Sequence, residues 1–372
     1  MDKRESNILK GTAIIFMLIH HLFNDKKLIK LAEFGSSSEK TAVYHMAIFF
    51  KICVPIFVFI SAYGLSKQYM KKGILKDSRT IAKDAFRRYR KLLYGLWTIM
   101  AVAVVVAHIV NRYLPEEVYA RNDANAIKNF VFDMLGLSEF FGTAHYNNTW
   151  WYISFAVLLF MILPLINMLH EKVGSLIIPL SLFAAVLLQE FQGTLANYLE
   201  RYIIGVAAAV TFAREDTIER YKKIISPWYL RLTAFIFFGA AFAFCYYLRS
   251  KLILDYYVID NLTAIVLIML VCTISGIKVL SPLYAVLYVL GLYSMNMFLG
   301  HTFIKSYFFK DFTYSFKKWW LIALILILIS FAVSFAVEML KKGIQIIINK
   351  IKKSIKEKGG SDGDDMSEQE MA

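Results

Sequence analysis

Cysteine is scarce in this chain: three residues in 372, Cys53, Cys245 and Cys272. Each lies inside an apolar run, where a thiol packs as a small hydrophobe, so a secreted disulfide scaffold is excluded. Charge is sparse as well. Asp, Glu, Lys and Arg make up 19% of residues, against about 25% in a soluble domain. No internal repeat of the kind that builds transporters is visible. What the chain does have is 58% hydrophobic residues, gathered in long runs rather than in alternation. A compact soluble enzyme and a fibrous or disordered chain are both excluded. The pattern is that of an all-α, polytopic membrane protein.

A membrane-crossing helix needs about 20 mostly apolar residues. Ten segments qualify, near 8–24, 45–66, 91–110, 148–169, 175–190, 195–213, 230–249, 257–277, 283–304 and 319–340. No small-residue cleavage site follows His20-His21, so the first segment is expected to remain as span 1 rather than act as a signal peptide. Cytoplasmic loops carry excess Lys and Arg. With the amino terminus inside, 27 of the 42 basic residues fall on the inner side and 13 outside, and Lys51 and Arg201 lie within spans. Both termini are therefore expected in the cytoplasm. The net charge of +14 is mostly this loop bias beside anionic lipid and no sign of nucleic acid. Residues 1–340 read as the membrane domain. Residues 341–372 read as a tail, first basic and then acidic, expected to be disordered toward its end. The longest outer loop, 111–147, is expected to carry a short surface helix.

Ionisable groups inside spans are costly, so each is a site candidate. Lys10 and His21 are eleven residues apart. Eleven steps of 100° return to within about 20° of the start, which puts them on one helix face about 16 Å apart. Asp25 joins that face if the helix continues; His20 points about 100° away. The orientation sorts the rest by depth. Lys10, Ser61, Arg87, Arg88 and Arg90 lie toward the inner side. His20, His21, Trp150, Trp151, Glu200, Arg201 and His301 lie toward the outer side. An inner basic cluster suits an anionic ligand, and an outer His/Trp/carboxylate cluster suits a polar substrate. Plain readings stand beside these: Arg87 to Lys91 as positive-inside flanking, the Trp pairs as interface belts, and Glu200-Arg201 as a structural ion pair.

These residues carry a family likeness. The basic residue, ten spacers and histidine of span 1 (Lys10 to His21), Arg87-x-x-Arg90, Trp151-Tyr152-Ile153 leading to Pro164, and Met297-Phe298-Leu299-Gly300-His301 occur in order along ten spans. In this the chain resembles the acyltransferase-3 family of membrane acyltransferases. It departs in having Lys10 where arginine is usual and Ser61-Ala62-Tyr63-Gly64 where Ser-Gly-Phe is usual. The resemblance implies transfer of an acyl group, most often acetyl, from cytoplasmic acetyl-CoA to a hydroxyl of a cell-surface polysaccharide or glycolipid, in a bacterial plasma membrane and with no metal. It implies His21 as base or acyl carrier, with His20 and His301 near it. Lys10, Arg87, Arg88 and Arg90 would then meet the CoA phosphates, and Trp150, Trp151, Glu200 and Arg201 the acceptor. The rival from another class is a transporter or flippase of a glycolipid or small solute.

Overall fold

The computed structural model describes residues 1–120, 125–251 and 256–351, and the helical backbone of 352–364. Sixteen α-helices are described: α1 (Lys3–Phe23), α2 (Ser37–Phe49), α3 (Cys53–Lys72), α4 (Ser78–Val110), α5 (Pro115–Ala120), α6 (Ala126–Met134), α7 (Ser138–Phe141), α8 (Trp151–Val173), α9 (Ile177–Leu188), α10 (Thr194–Arg214), α11 (Thr217–Ile224), α12 (Trp228–Ser250), α13 (Tyr256–Ile274), α14 (Ser281–Thr302), α15 (Lys310–Tyr314) and α16 (Trp319–Asp364). The last eight residues of the expected tail lie outside the described residues.

Eight helical stretches among the described residues are long and apolar enough to cross a membrane. The ten expected segments map onto them with two differences. Segments four and five form one stretch, Asn148–Leu188, broken where Gly174 takes a left-handed φ of 58° between α8 and α9. Segment six is α10, whose N-terminal half carries Glu200 and Arg201 and makes it too polar for the apolar criterion. The chain is therefore an all-α multi-pass membrane protein.

Local chemistry sets the helix ends. Asp2 and Glu5 form a reciprocal capping box on α1, with Glu5 N–H donating to Asp2 at 2.8 Å and Asp2 N–H to Glu5 at 3.0 Å, which satisfies two amide donors the helix leaves unpaired. Asp77 caps α4 from one side only, its carboxylate accepting from the Arg79 and Thr80 amides. That cap starts α4 at Ser78, so Arg87 to Lys91 lie three turns inside a 33-residue helix rather than at its mouth. At its other end α1 stops at Phe23. The Asp25 carboxylate turns to accept the Lys27 amide at 2.6 Å and does not continue the helix face. The second expected span is also interrupted: a 3-10 turn, Phe50–Ile52, separates α2 from α3 and carries Lys51. Among its described residues the 111–147 loop forms three short helices, α5 to α7, in place of one.

The core centres on α1, packed against α3 and α14. Two glycines allow α1 and α14 to touch backbone to backbone. A Cβ on Gly11 would sit 1.9 Å from the Leu287 carbonyl oxygen, and one on Gly291 would sit 1.9 Å from that of Asn7. Small residues at such crossings are how helices gain packing energy in lipid, where apolar burial alone gives little drive. α12 lies at the periphery, with Cys245 and Arg249 as its buried residues.

Candidate functional site

Side-chain contacts tie one end of the bundle together. Lys67 of α3 pairs with Asp216 and lies 3.8 Å from Glu219 of α11. Arg88 of α4 donates to Gln68 of α3 at 3.1 Å. At the opposite end Tyr314 donates to the Leu22 carbonyl at 3.1 Å and Trp319 to Glu39 at 2.7 Å. The basic loops counted as inner gather at the first end, and the histidines lie toward the second.

A chamber of about 450 Å³ runs along the face of α1 between these ends. Lys3, Asn7 and Lys10 line it low, and His20, His21, Trp151 and Tyr152 line it high. α1 delivers both ends because positions 3, 7, 10, 17 and 21 recur at helical spacing, three, four or seven residues apart or multiples of them. The close α1–α14 crossing at Gly291 brings Ser294, Met295 and Phe298 to the facing wall. The lining is mostly apolar with a few convergent polar groups, the usual character of a small-molecule site.

The three histidines stand together at the outer end. The His21 ring centroid is 5.0 Å from that of His20 and 5.1 Å from that of His301. Their hydrogen bonding differs. His20 has Nδ1 2.7 Å from the Ala47 carbonyl and Nε2 3.1 Å from the Asn24 amide. With Nδ1–H donating to the carbonyl and Nε2 accepting from Asn24, the ring is held in one tautomer and both nitrogens are occupied. His301 is fully buried. It donates from Nδ1 to the Phe298 carbonyl at 2.8 Å, which leaves Nε2 to accept from Thr302 at 3.2 Å. Thr302 lies 3.4 Å from Thr149, and Thr149 donates to Asn147 at 2.8 Å. His21 has no hydrogen-bond partner among the described residues and faces the chamber, so its imidazole is open to a ligand. Directly after His301 the helix widens into a π-helical turn, Phe303–Phe308, that buries Lys305; such turns concentrate at functional sites.

The remaining sequence candidates separate. Trp151 lines the chamber, whereas Trp150 is 2% exposed and donates through Nε1 to the Leu299 carbonyl at 3.1 Å. Trp150 therefore packs α8 against α14 and presents no face to the chamber. Among the arginines, Arg88 lines a groove of about 720 Å³ at the inner end with Lys91, Asn296, Lys341 and Lys342. Leu292 and Met295 wall both this groove and the histidine chamber. Arg87 pairs with the buried Asp84 and lines a different surface hollow. Arg90 stacks 5.8 Å over Phe86. Asp84 also holds Arg88 at 2.6 Å, which aims that guanidinium. Glu200 and Arg201 line a second chamber of about 230 Å³, together with Lys51, Tyr202, Tyr257 and Asp260; no ion pair joins them to each other among the described residues.

Sequence reasoning gave no specific role to three groups in this arrangement. Lys51 lines both chambers, and a lysine inside an apolar run four residues before Pro55 was its visible signal. Lys341 and Lys342 were counted as tail charge. Between α4 and α8, Asp133 accepts from Tyr119 Oη at 2.8 Å and from the Tyr146 amide at 2.8 Å. His145 sits 3.6 Å from Asp133 and 2.9 Å from Glu139. Burial works against its charge, but the two carboxylates prevail and hold its pKa above the ordinary value. Among the described residues no group of three or more His, Cys, Asp or Glu could hold a metal ion.

A family model described as an acyltransferase domain, Acyl_transf_3, matches residues 4–339 of the chain. No curated protein and no solved structure matches it significantly.

Proposed function

The chain belongs to the acyltransferase-3 family, and from that premise we propose that it moves an acetyl group from cytoplasmic acetyl-CoA to a hydroxyl of an extracytoplasmic glycan or glycolipid of the cell surface. The observation that carries the reading is the chamber along α1. It joins a basic inner end to an unpartnered imidazole at the outer end, over a length of about 16 Å from Lys10 to His21. That length suits an extended pantetheine arm. The nucleotide phosphates would rest in the inner groove on Arg88, Lys91, Lys341 and Lys342, where an arginine can offer a bidentate fork and lysines point charges.

The chemistry follows from the residues at the far end. An alcohol attacks a thioester poorly until a base removes its proton. His21 takes the hydroxyl proton as the new C–O bond forms. The C–S bond then breaks, and the same proton passes to the departing thiolate, leaving an acetyl ester and free CoA thiol. Transfer through an acetyl-imidazole on His21 gives the same products in two displacements. His20 and His301 flank the His21 ring with their own nitrogens engaged. Trp151 and Tyr152 offer flat amphipathic faces for the acceptor.

The direct test is calorimetric titration of the detergent-solubilised chain with acetyl-CoA. Saturable binding that weakens in Arg88→Ala with Lys91→Ala supports the reading. Absence of binding, with glycolipid movement in reconstituted vesicles, would support a transporter instead.

A further inference from the structure

The second chamber is built for a ligand of its own. Its walls are fixed before anything enters. Asn261 of α13 donates to the Arg201 carbonyl at 2.7 Å and to the Tyr257 carbonyl at 2.5 Å, which ties α13 to α10. Gly205 permits this approach, since a Cβ there would lie 2.4 Å from the Asn261 side-chain oxygen. Behind the chamber Arg249 grips Asp260 with two contacts, Nε to Oδ1 at 2.6 Å and Nη2 to Oδ2 at 3.4 Å, and lies 5.2 Å over the Tyr256 ring. Asp260 is thereby committed to Arg249. The charges left facing the space are Lys51, Arg201 and Glu200, an excess of one cation.

Lys51 is the unusual member. It sits in the 3-10 turn that breaks the second span, among residues that otherwise read as apolar. No carboxylate lies within 4 Å of its ammonium among the described residues, and no hydrogen-bond acceptor meets it there. Lys51 is exposed and lines the chamber, so an anion can reach its ammonium without displacing a partner. It is also the residue common to the two chambers: one side faces Glu200, Arg201 and Tyr202, the other faces His20, His21 and Trp151. The second chamber is smaller than the about 300 Å³ at the low end of drug-sized sites, and its tyrosines supply ring faces with polar tips.

We propose that the second chamber binds the acceptor through an acidic sugar residue, with Lys51 and Arg201 on its anion and the tyrosines on its ring, so that Lys51 marks the passage of the acceptor hydroxyl toward His21. The role of acceptor rests on the acyltransfer reading; the binding of an acidic sugar does not. The anion is a carboxylate, as in a uronic acid, or a phosphate on the sugar.

Saturation-transfer NMR on the detergent-solubilised full chain, with no donor present, separates these. Methyl glucoside, methyl glucuronide and glucose 1-phosphate are compared. At least one anionic sugar is expected to bind tenfold or more tightly than the neutral one, and which one does so identifies the anion. Lys51→Met and Arg201→Met should remove that preference while Lys51→Arg keeps it, with unchanged melting temperatures showing that the variants fold. Equal binding of neutral and anionic sugars, no binding of any of the three, or an undiminished preference in Lys51→Met would overturn the proposal. Acetyl-CoA binding measured on the same preparations reports on the donor reading separately. Loss of that binding with sugar selectivity retained removes the transferase reading alone; the reverse result removes this inference alone.

Discussion

His21 and His301 stand ring to ring, with centroids 5.1 Å apart, on α1 and α14. Only the first faces the chamber free of hydrogen bonds among the described residues. The second has both nitrogens engaged and no exposed surface. Residues nearly three hundred positions apart thus divide one task between them, and the division predicts different kinetics for their variants. His301→Ala should lower kcat for transfer but leave KM for acetyl-CoA within twofold or so, because His301 would act by placing His21 and not by touching the donor. A steady-state comparison of the two constants checks this. A raised donor KM with unchanged kcat would assign His301 to binding instead.

The inner groove makes a prediction about which arginine matters. Arg88 lines it and is aimed by Asp84. Arg90 lies over Phe86, away from it. A hydrogen bond to a charged group is worth about 1.5–3 kcal/mol. Loss of Arg88 should therefore weaken acetyl-CoA binding about tenfold or more, and Arg90→Ala should change it little. Calorimetry on the two single variants decides, and equal losses would point to a general effect of positive charge.

The sequence made much of this legible, for reasons that differ by residue. The spans follow from hydrophobic length, and the shared face of Lys10 and His21 follows from helix geometry alone. The break at Lys51 and the start of α4 at Ser78 were less visible. The first depends on a single turn inside an apolar run, and the second on one capping aspartate ahead of a basic, mixed segment. The sorting of Trp150 from Trp151, and of Arg88 from Arg87 and Arg90, was not legible. It depends on side-chain partners from distant helices, Leu299 for Trp150 and Gln68 for Arg88, which one-dimensional spacing does not contain.

The α1–α14 crossing should be intolerant of a single methyl group. Gly291→Ala places a Cβ 1.9 Å from the Asn7 carbonyl oxygen, where only backbone movement relieves the clash. Overpacking costs about 1–3 kcal/mol where side chains can shift, and here they cannot. The expected result is a clear drop in melting temperature in detergent, together with lost activity, since the same wall faces His21. Gly300→Ala meets nothing within 4 Å and should melt as the parent does.

The outer cap should respond to pH through His145. Its pKa is held above the ordinary value by Asp133 and Glu139, against the effect of burial. A histidine with a raised folded pKa contributes stability that is complete below its unfolded value, about 6.5, and lost as pH rises through the folded value. Hydrogen exchange in residues 126–147 should therefore quicken as pH rises through that window, after correction for intrinsic exchange. His145→Gln should remove the step, and a step that persists in that variant would place the titration elsewhere.

The most direct measurement is transfer of radiolabelled acetyl from acetyl-CoA to a saccharide hydroxyl by the purified chain and by His21→Gln. General-base catalysis contributes about 10²–10⁴-fold, and a covalent carrier role would make the loss complete. The account predicts that His21→Gln binds acetyl-CoA with parental affinity and forms labelled ester at least a hundredfold more slowly. Undiminished ester formation by His21→Gln would contradict it.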